Sequence, residues 1–138
     1  LVRDMQIKDV IFTGRINTSE YIGKMDFTIL TSISEGQPLT ILESFAVRKP
    51  VIATDVGNCR GLIYGETDNY GKAGVLTHIM NVEEIKDAIL LLADNEQKRI
   101  EYGNNGYKRL IRKYTLVDMK NTYEGIYMQL SEKMISRR

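Results

Sequence analysis

Apolar residues in the first half of this chain come in short, unbroken runs rather than in alternation. "DVIFTG" (9–14), "DFTILTS" (26–32), "PVIAT" (50–54) and "AGVLTH" (73–78) each read as a short strand buried on both faces. Between these runs the period changes. "TSEYIGKM" (18–25) suits a short helix capped by Thr18 or Ser19. From Pro38 to about Val47, a proline at the first helical position is followed by Leu39, Leu42, Phe45 and Ala46 at helical spacing. "NCRGLIYG" (58–65) reads as a short helix or turn. The second half is helical. Asn81 and Glu84 have capping-box spacing, and Ile85, Ile89 and Leu92 then share a face. Residues 96–113 form a charge-rich helix that Gly103 or Gly106 could break. "TLVD" (115–118) opens a last helix with a stripe of Met119, Tyr123, Ile126, Leu130 and Met134.

Strands alternating with helices predict parallel strands joined by right-handed crossovers. The expected fold is α/β, with a parallel sheet of about four strands, flanking helices and a helical C-terminal tail. In such sheets ligands bind outside the carboxyl ends of the strands. That singles out three loops: "TGRIN" (13–17), "SISEGQP" (32–38) and "TDVGN" (54–58).

Composition narrows the function classes. The 138 residues make about one domain. A formal net charge of +1 gives no global field for nucleic acid or an anionic membrane. No apolar run approaches the ~18 residues a bilayer span needs, and the first residues do not form a secretory signal. The single cysteine, Cys59, fits a reducing, cytoplasmic location. Leu1 in place of a methionine, running almost directly into a strand, suggests a piece of a longer protein.

The most informative stretch is "SEGQPLTILE" (34–43), with a carboxylate near each end. Gly36 lets the backbone turn sharply or approach a ligand closely. The helix that follows offers unpaired N–H groups, an anion site. Pro38 has no N–H, so the useful donors are those of Leu39 and Thr40. A diphosphate bound there would have Glu35 on one side and Glu43 on the other. Carboxylates are poor phosphate ligands but good acceptors for hydroxyls, and a nucleotide sugar carries hydroxyls on its ribose and on its hexose. Spacing alone favours simpler roles. Glu35 would complement the helix dipole, worth ~0.3–1 kcal/mol, and Glu43 would be a solvated acid.

The run "SISEGQPLTILESFAVRKPVIATDVGNCRGLI" (32–63) resembles the donor-binding half of retaining glycosyltransferases of family 4. Within that family it looks most like the subfamily that makes the Pel exopolysaccharide. The shared pattern is a Glu, seven residues, a second Glu, a Pro-Val strand and a "TDVG" turn. The resemblance continues through "AGVL" to "YEGIY" in the last helix. It implies a partial Rossmann-like sheet forming the C-terminal part of a GT-B donor domain over residues 1–138, with the N-terminal acceptor domain absent. It further implies that Glu35, the candidate catalytic residue, contacts the donor sugar's hydroxyls. Glu43 would hold the ribose, and the backbone near Leu39 and Thr40 the diphosphate. Gly36 and Gln37 belong to the same donor loop, and Arg15 and Ile16 would lie near the base. The donor would be a UDP-hexose, UDP-glucose above all, and the acceptor a saccharide. No cofactor and no metal would be needed.

The chain departs from the family where glycine commonly closes the first long helix: Arg48 and Lys49 stand there. A left-handed cap at a non-glycine residue costs roughly 1 kcal/mol. Gly61 replaces a frequent glutamate. The two strands that would separate 9–14 from 26–32 in the resembled sheet precede Leu1. The first strand is therefore expected to shift and pair with 26–32, or a second copy to cover that edge in a dimer. Outside the motif, His78 reads as a loop residue and Cys59 as a small, partly buried one. Lys98, Arg99, Lys108, Arg109, Arg112 and Lys113 read as a solvated face. Two other functions are compatible with the same fold: a nucleotide-sugar epimerase, and a non-catalytic binding or interaction module.

Overall fold

A computed structural model describes residues 1–66 and 68–135, without the side chains of residues 134 and 135, so Met134 of the apolar stripe lies outside the described side chains. Three parallel strands, β1 (Thr28–Leu30), β2 (Val51–Thr54) and β3 (Gly74–Thr77), form one sheet in the order β1-β2-β3. Thr28 pairs with Val51, and Val51 with Gly74. Helix α1 (Leu39–Ala46) crosses from β1 to β2, and α2 (Cys59–Ile63) lies between β2 and β3. Helices α3 (Val82–Ala93), α4 (Glu96–Lys113) and α5 (Leu116–Ile135) follow, and two 3₁₀ turns, Thr18–Glu20 and Ile22–Lys24, precede the sheet.

The central strand shows why the apolar runs do not alternate. All four residues of β2 are buried. Val51 and Ala53 face a core with Ile41, Phe45, Leu62 and Ile63, while Ile52 faces a second one with Ala88 and Leu92. Each face thus has a helical layer, as parallel sheets require.

The first predicted strand does not form. Residues 9–14 are irregular, and Ile11 is 85% exposed. A strand exists through its ladder partner, and this segment has none among the described residues; it does not pair with β1. The sheet therefore has three strands rather than about four. The 18–25 helix is also corrected, to two 3₁₀ turns. The cap of the first is Asn17, whose side chain accepts from the Ser19 N–H.

Glycine does not break α4. Gly103 and Gly106 instead bring α4 against α1: a Cβ would lie 2.0 Å from the Arg48 carbonyl oxygen at the first and 2.4 Å from the Phe45 ring at the second. The cap of α1 keeps the geometry usually given to glycine. Arg48 has φ +58°. The Arg48 N–H donates to the Phe45 carbonyl at 3.0 Å and the Lys49 N–H to that of Ser44 at 2.9 Å, the two bonds of a Schellman closure. The Arg48 guanidinium lies 3.9 Å from the Tyr107 ring centre and donates to Asn104.

The caps of the later helices follow the sequence. The Asn81 side chain accepts from the Glu84 N–H, but Glu84 does not complete the box; it accepts from the N–H of His78 and meets its ring. Thr115 and Asp118 do form the reciprocal pair. Among the described residues no helix is long and apolar enough to cross a membrane.

Candidate functional site

The loop after β1 and the loop after β2 meet at the carboxyl end of the sheet. The Thr54 hydroxyl, at the end of β2, donates to the Ser32 carbonyl. The Asn58 N–H donates to the Gly36 carbonyl at 2.9 Å, and the Asn58 amide donates to Gln37 Oε1 at 3.3 Å. Gly57 has φ +51°, and a Cβ there would lie 1.9 Å from the Glu35 carbonyl oxygen. Only glycine allows both this backbone conformation and this approach.

Glu35 is half-buried and accepts a hydrogen bond from the Ser32 hydroxyl at 2.6 Å. Gly36 is exposed, and the space a Cβ would occupy is open. Pro38 is buried and takes the N-cap position rather than the first helical one, with ψ 116°. Leu39 and Thr40 are then the first two helical residues, both exposed. The Ile41 N–H already turns back to the Pro38 carbonyl.

A groove lies on either side of this helix start. One, of about 160 Å³, is lined by Thr40, Glu43 and Ser44 from α1, by Thr18, Ile22 and Met25, and by β1. The other, of about 460 Å³, is lined by Gln37, Leu39, Leu42, Tyr114 and Tyr123 among others. Glu43 and Thr40 are thus brought together, and Gln37 and Leu39 are brought together on the opposite flank. Glu35 lines neither groove and sits on the loop before the helix. Arg15 and Ile16 also line neither, although Thr18, two residues after Ile16, does.

Residues 3–109 match the family model described as Glycosyl transferases group 1. The chain belongs to the glycosyl transferases group 1 family. An uncharacterised glycosyltransferase of Methanocaldococcus jannaschii is 34% identical over 114 residues, covering 83% of this chain and 31% of that protein. The poly(ribitol-phosphate) alpha-N-acetylglucosaminyltransferase of Staphylococcus aureus is 28% identical over 119 residues, 83% of this chain and 23% of that protein. The chain therefore spans between about a quarter and a third of the length of these relatives. Sucrose-phosphate synthase from Thermosynechococcus elongatus superposes with a TM-score of 0.83 at 22% identity, over 96% of this chain and 33% of that one. The C-terminal domain of a group 1 glycosyl transferase from Francisella tularensis does so with a TM-score of 0.67, over 83% of this chain and 59% of that one. These likenesses show the fold, that of GT-B transferases.

In this group 1 chain, several polar residues outside the predicted site hold the loops in place. Arg109 is fully buried and not part of a solvated face. It forms a two-point ion pair with Asp68 at 2.8 and 2.9 Å and donates to the carbonyls of Leu62, Ile63 and Gly71. It so ties the end of α2 to the loop before β3. The Arg109 guanidinium holds the Asp68 carboxyl well below the usual carboxylate range. Arg109 lies three residues after Gly106, on the buried side of α4, a side that becomes visible only once α4 is packed. Cys59 is fully rather than partly buried, and burial pushes its thiol up, which makes it unreactive. Asp55 pairs with Arg60 at the mouth of the second loop. His78 is an exposed loop residue, and its contacts hold the Glu84 carboxyl below its ordinary value.

Proposed function

We propose that this chain is the C-terminal part of the donor-binding domain of a retaining glycosyltransferase of family 4, related to the Pel exopolysaccharide enzymes. The whole enzyme would move a hexose from a UDP-sugar, UDP-glucose above all, to a saccharide acceptor. The reaction would need no metal or cofactor and would take place in the cytoplasm. The observation that carries this reading is the start of α1. Exposed Leu39 and Thr40 lead the helix at the carboxyl end of β1, with Glu35 on the loop before it and Glu43 one turn into it.

In this reading the N–H groups of Leu39 and Thr40 receive the diphosphate, assisted by the helix dipole. Gly36 leaves room for close approach, and Gln37 borders the same path. Glu43 accepts from the ribose hydroxyls and Glu35 from those of the hexose. Arg15 and Ile16 lie toward the base. The diphosphate leaving group assists attack on its own face of the sugar, so the configuration is retained without a base from these residues. The acceptor is held by another domain of the whole enzyme. The open edge of β1 is a further contact surface, where a second copy of this chain would pair.

Ligand-observed NMR titration with UDP-glucose tests the binding. The chain alone should bind in the millimolar range: if basic residues elsewhere in the whole enzyme supply two charge-assisted hydrogen bonds to the diphosphate, ~1.5–3 kcal/mol each, going without them is enough to turn a micromolar site into a millimolar one. Glu43→Ala should weaken it further. Tight binding that Glu43→Ala leaves unchanged would reject the ribose role. Sugar transfer by this chain alone would show the catalytic site to be misplaced, because the reacting groups must be held in line.

A further inference from the structure

The position of Glu35 is set from its own loop and from the loop that follows β2. Its side chain has one partner, the Ser32 hydroxyl, 2.6 Å from Oε1. Among the described residues Oε2 receives no hydrogen bond. The main chain around it is fixed at three points, residues 32, 35 and 36, by the end of β2 and the loop after it. Thr54, itself buried, donates to the Ser32 carbonyl. Gly57 packs where any Cβ would strike the Glu35 carbonyl, and the Asn58 N–H holds the Gly36 carbonyl.

We propose that Ser32 is a positioning residue for donor recognition: its hydroxyl fixes the Glu35 rotamer so that Oε2 alone is presented to the sugar, with Gly57 and Asn58 setting the height of the loop. The inference rests on the donor-sugar role proposed above for Glu35. A carboxylate that accepts from sugar hydroxyls must be held to within about 0.5 Å to be effective. Glu35 has three side-chain torsions and is only half-buried, so packing alone does not hold it. The Ser32 bond removes that freedom by occupying one oxygen. The clasp from 54–58 keeps Ser32 and Glu35 in register, because it bonds the Ser32 and Gly36 carbonyls on either side of Glu35 and packs Gly57 against the carbonyl of Glu35 itself. Neither Ser32 nor Gly57 needs to touch the donor. Among the described residues the Ser32 hydroxyl bonds only Glu35, so it acts on the sugar end and should have no effect on the nucleotide end, which Glu43 and the helix start would bind.

The test compares UDP with UDP-glucose on the same chain by NMR titration. Ser32→Ala should weaken UDP-glucose by about threefold to tenfold, the loss of one hydrogen bond, and leave UDP within about twofold of the parent chain. Ser32→Thr, which keeps the hydroxyl, should restore UDP-glucose binding. Gly57→Ala should act in the same direction as Ser32→Ala, and amide spectra of both variants report whether the fold is retained. Glu35→Ala separates the two levels of the argument. If it weakens UDP-glucose while Ser32→Ala does not, the donor-sugar role stands and the positioning role falls. If Glu35→Ala changes neither ligand, the donor-sugar role itself falls. Equal weakening of UDP and UDP-glucose by Ser32→Ala, unrescued by threonine, would reduce Ser32 to a structural residue and overturn the proposal.

Discussion

Two arginines show how far a residue's chemistry depends on what it touches. Arg48 adopts a left-handed conformation at the end of α1 and offsets the strain by stacking on Tyr107 and bonding Asn104. The strain is worth roughly 1 kcal/mol, and an exposed cation-aromatic contact about 0.5–1 kcal/mol. Arg48→Ala keeps the strain and loses the contacts, so urea unfolding should show a loss of about 1 kcal/mol. Arg48→Gly removes both and should stay within about 0.5 kcal/mol of the parent. Arg109 is the larger effect. Breaking a buried ion pair by removing one partner costs about 3–5 kcal/mol, so Arg109→Ala should lower the melting temperature sharply, and Asp68→Asn less so. The sign of the pH dependence follows from Asp68, whose carboxyl is depressed in the folded state. Its stabilisation is fully present above its unfolded value of about 3.9 and is lost as pH falls below that toward the folded value. Urea midpoints should therefore drop in acid, and Asp68→Asn should flatten that drop. In sequence, Arg48 stood out as a departure from a glycine. Arg109 was hidden, because a charged residue on a charge-rich helix gives no sign of its partner 41 positions away.

Elements whose signal is local were legible, and those that depend on distant partners were not. The runs 50–54 and 73–78 became β2 and β3, because burial on both faces leaves an unbroken apolar run. Caps are made within four residues, so the Thr115–Asp118 box forms as the sequence predicts, while at Asn81 only the cap half forms and Glu84 turns to His78 instead. The 9–14 segment has strand composition but, among the described residues, no neighbour to pair with. The breaks expected in α4 were close packing, visible only once α1 is in place. The clasp between 32–37 and 54–58 joins two loops across a crossover, and only the glycine of "TDVG" hinted at it. The last helix starts where its cap signal predicts, but its apolar stripe is exposed, with Met119, Tyr123, Ile126 and Leu130 all about half accessible or more. Hydrogen exchange should therefore be slowest in β2 and the middle of α4 and fastest in residues 1–17, with α5 exchanging faster than α4. Protection in α5 equal to that in α4 would show that the stripe has found a partner in solution.

At the scale of the whole molecule the sheet has two unlike edges. The outer edge of β3 is met by the Tyr64 hydroxyl, which accepts from the Leu76 N–H. Among the described residues no strand lies beside the outer edge of β1, and Ile29 is 45% exposed. Open apolar edges invite pairing. The proposed self-association should appear as a concentration-dependent mass in light scattering, and Ile29→Lys should reduce it. The central claim concerns the other end of the sheet, where the helix start and its two glutamates are proposed to bind a nucleotide sugar. The most direct test is to titrate the isotope-labelled chain with UDP-glucose and map the amide shifts. The account predicts the largest changes at Gly36, Gln37, Leu39 and Thr40, smaller ones at Ser32 and Asn58, and none in the Arg109 network. Shifts concentrated on α3 or on the exposed face of α5, with the 35–40 loop silent, would contradict it.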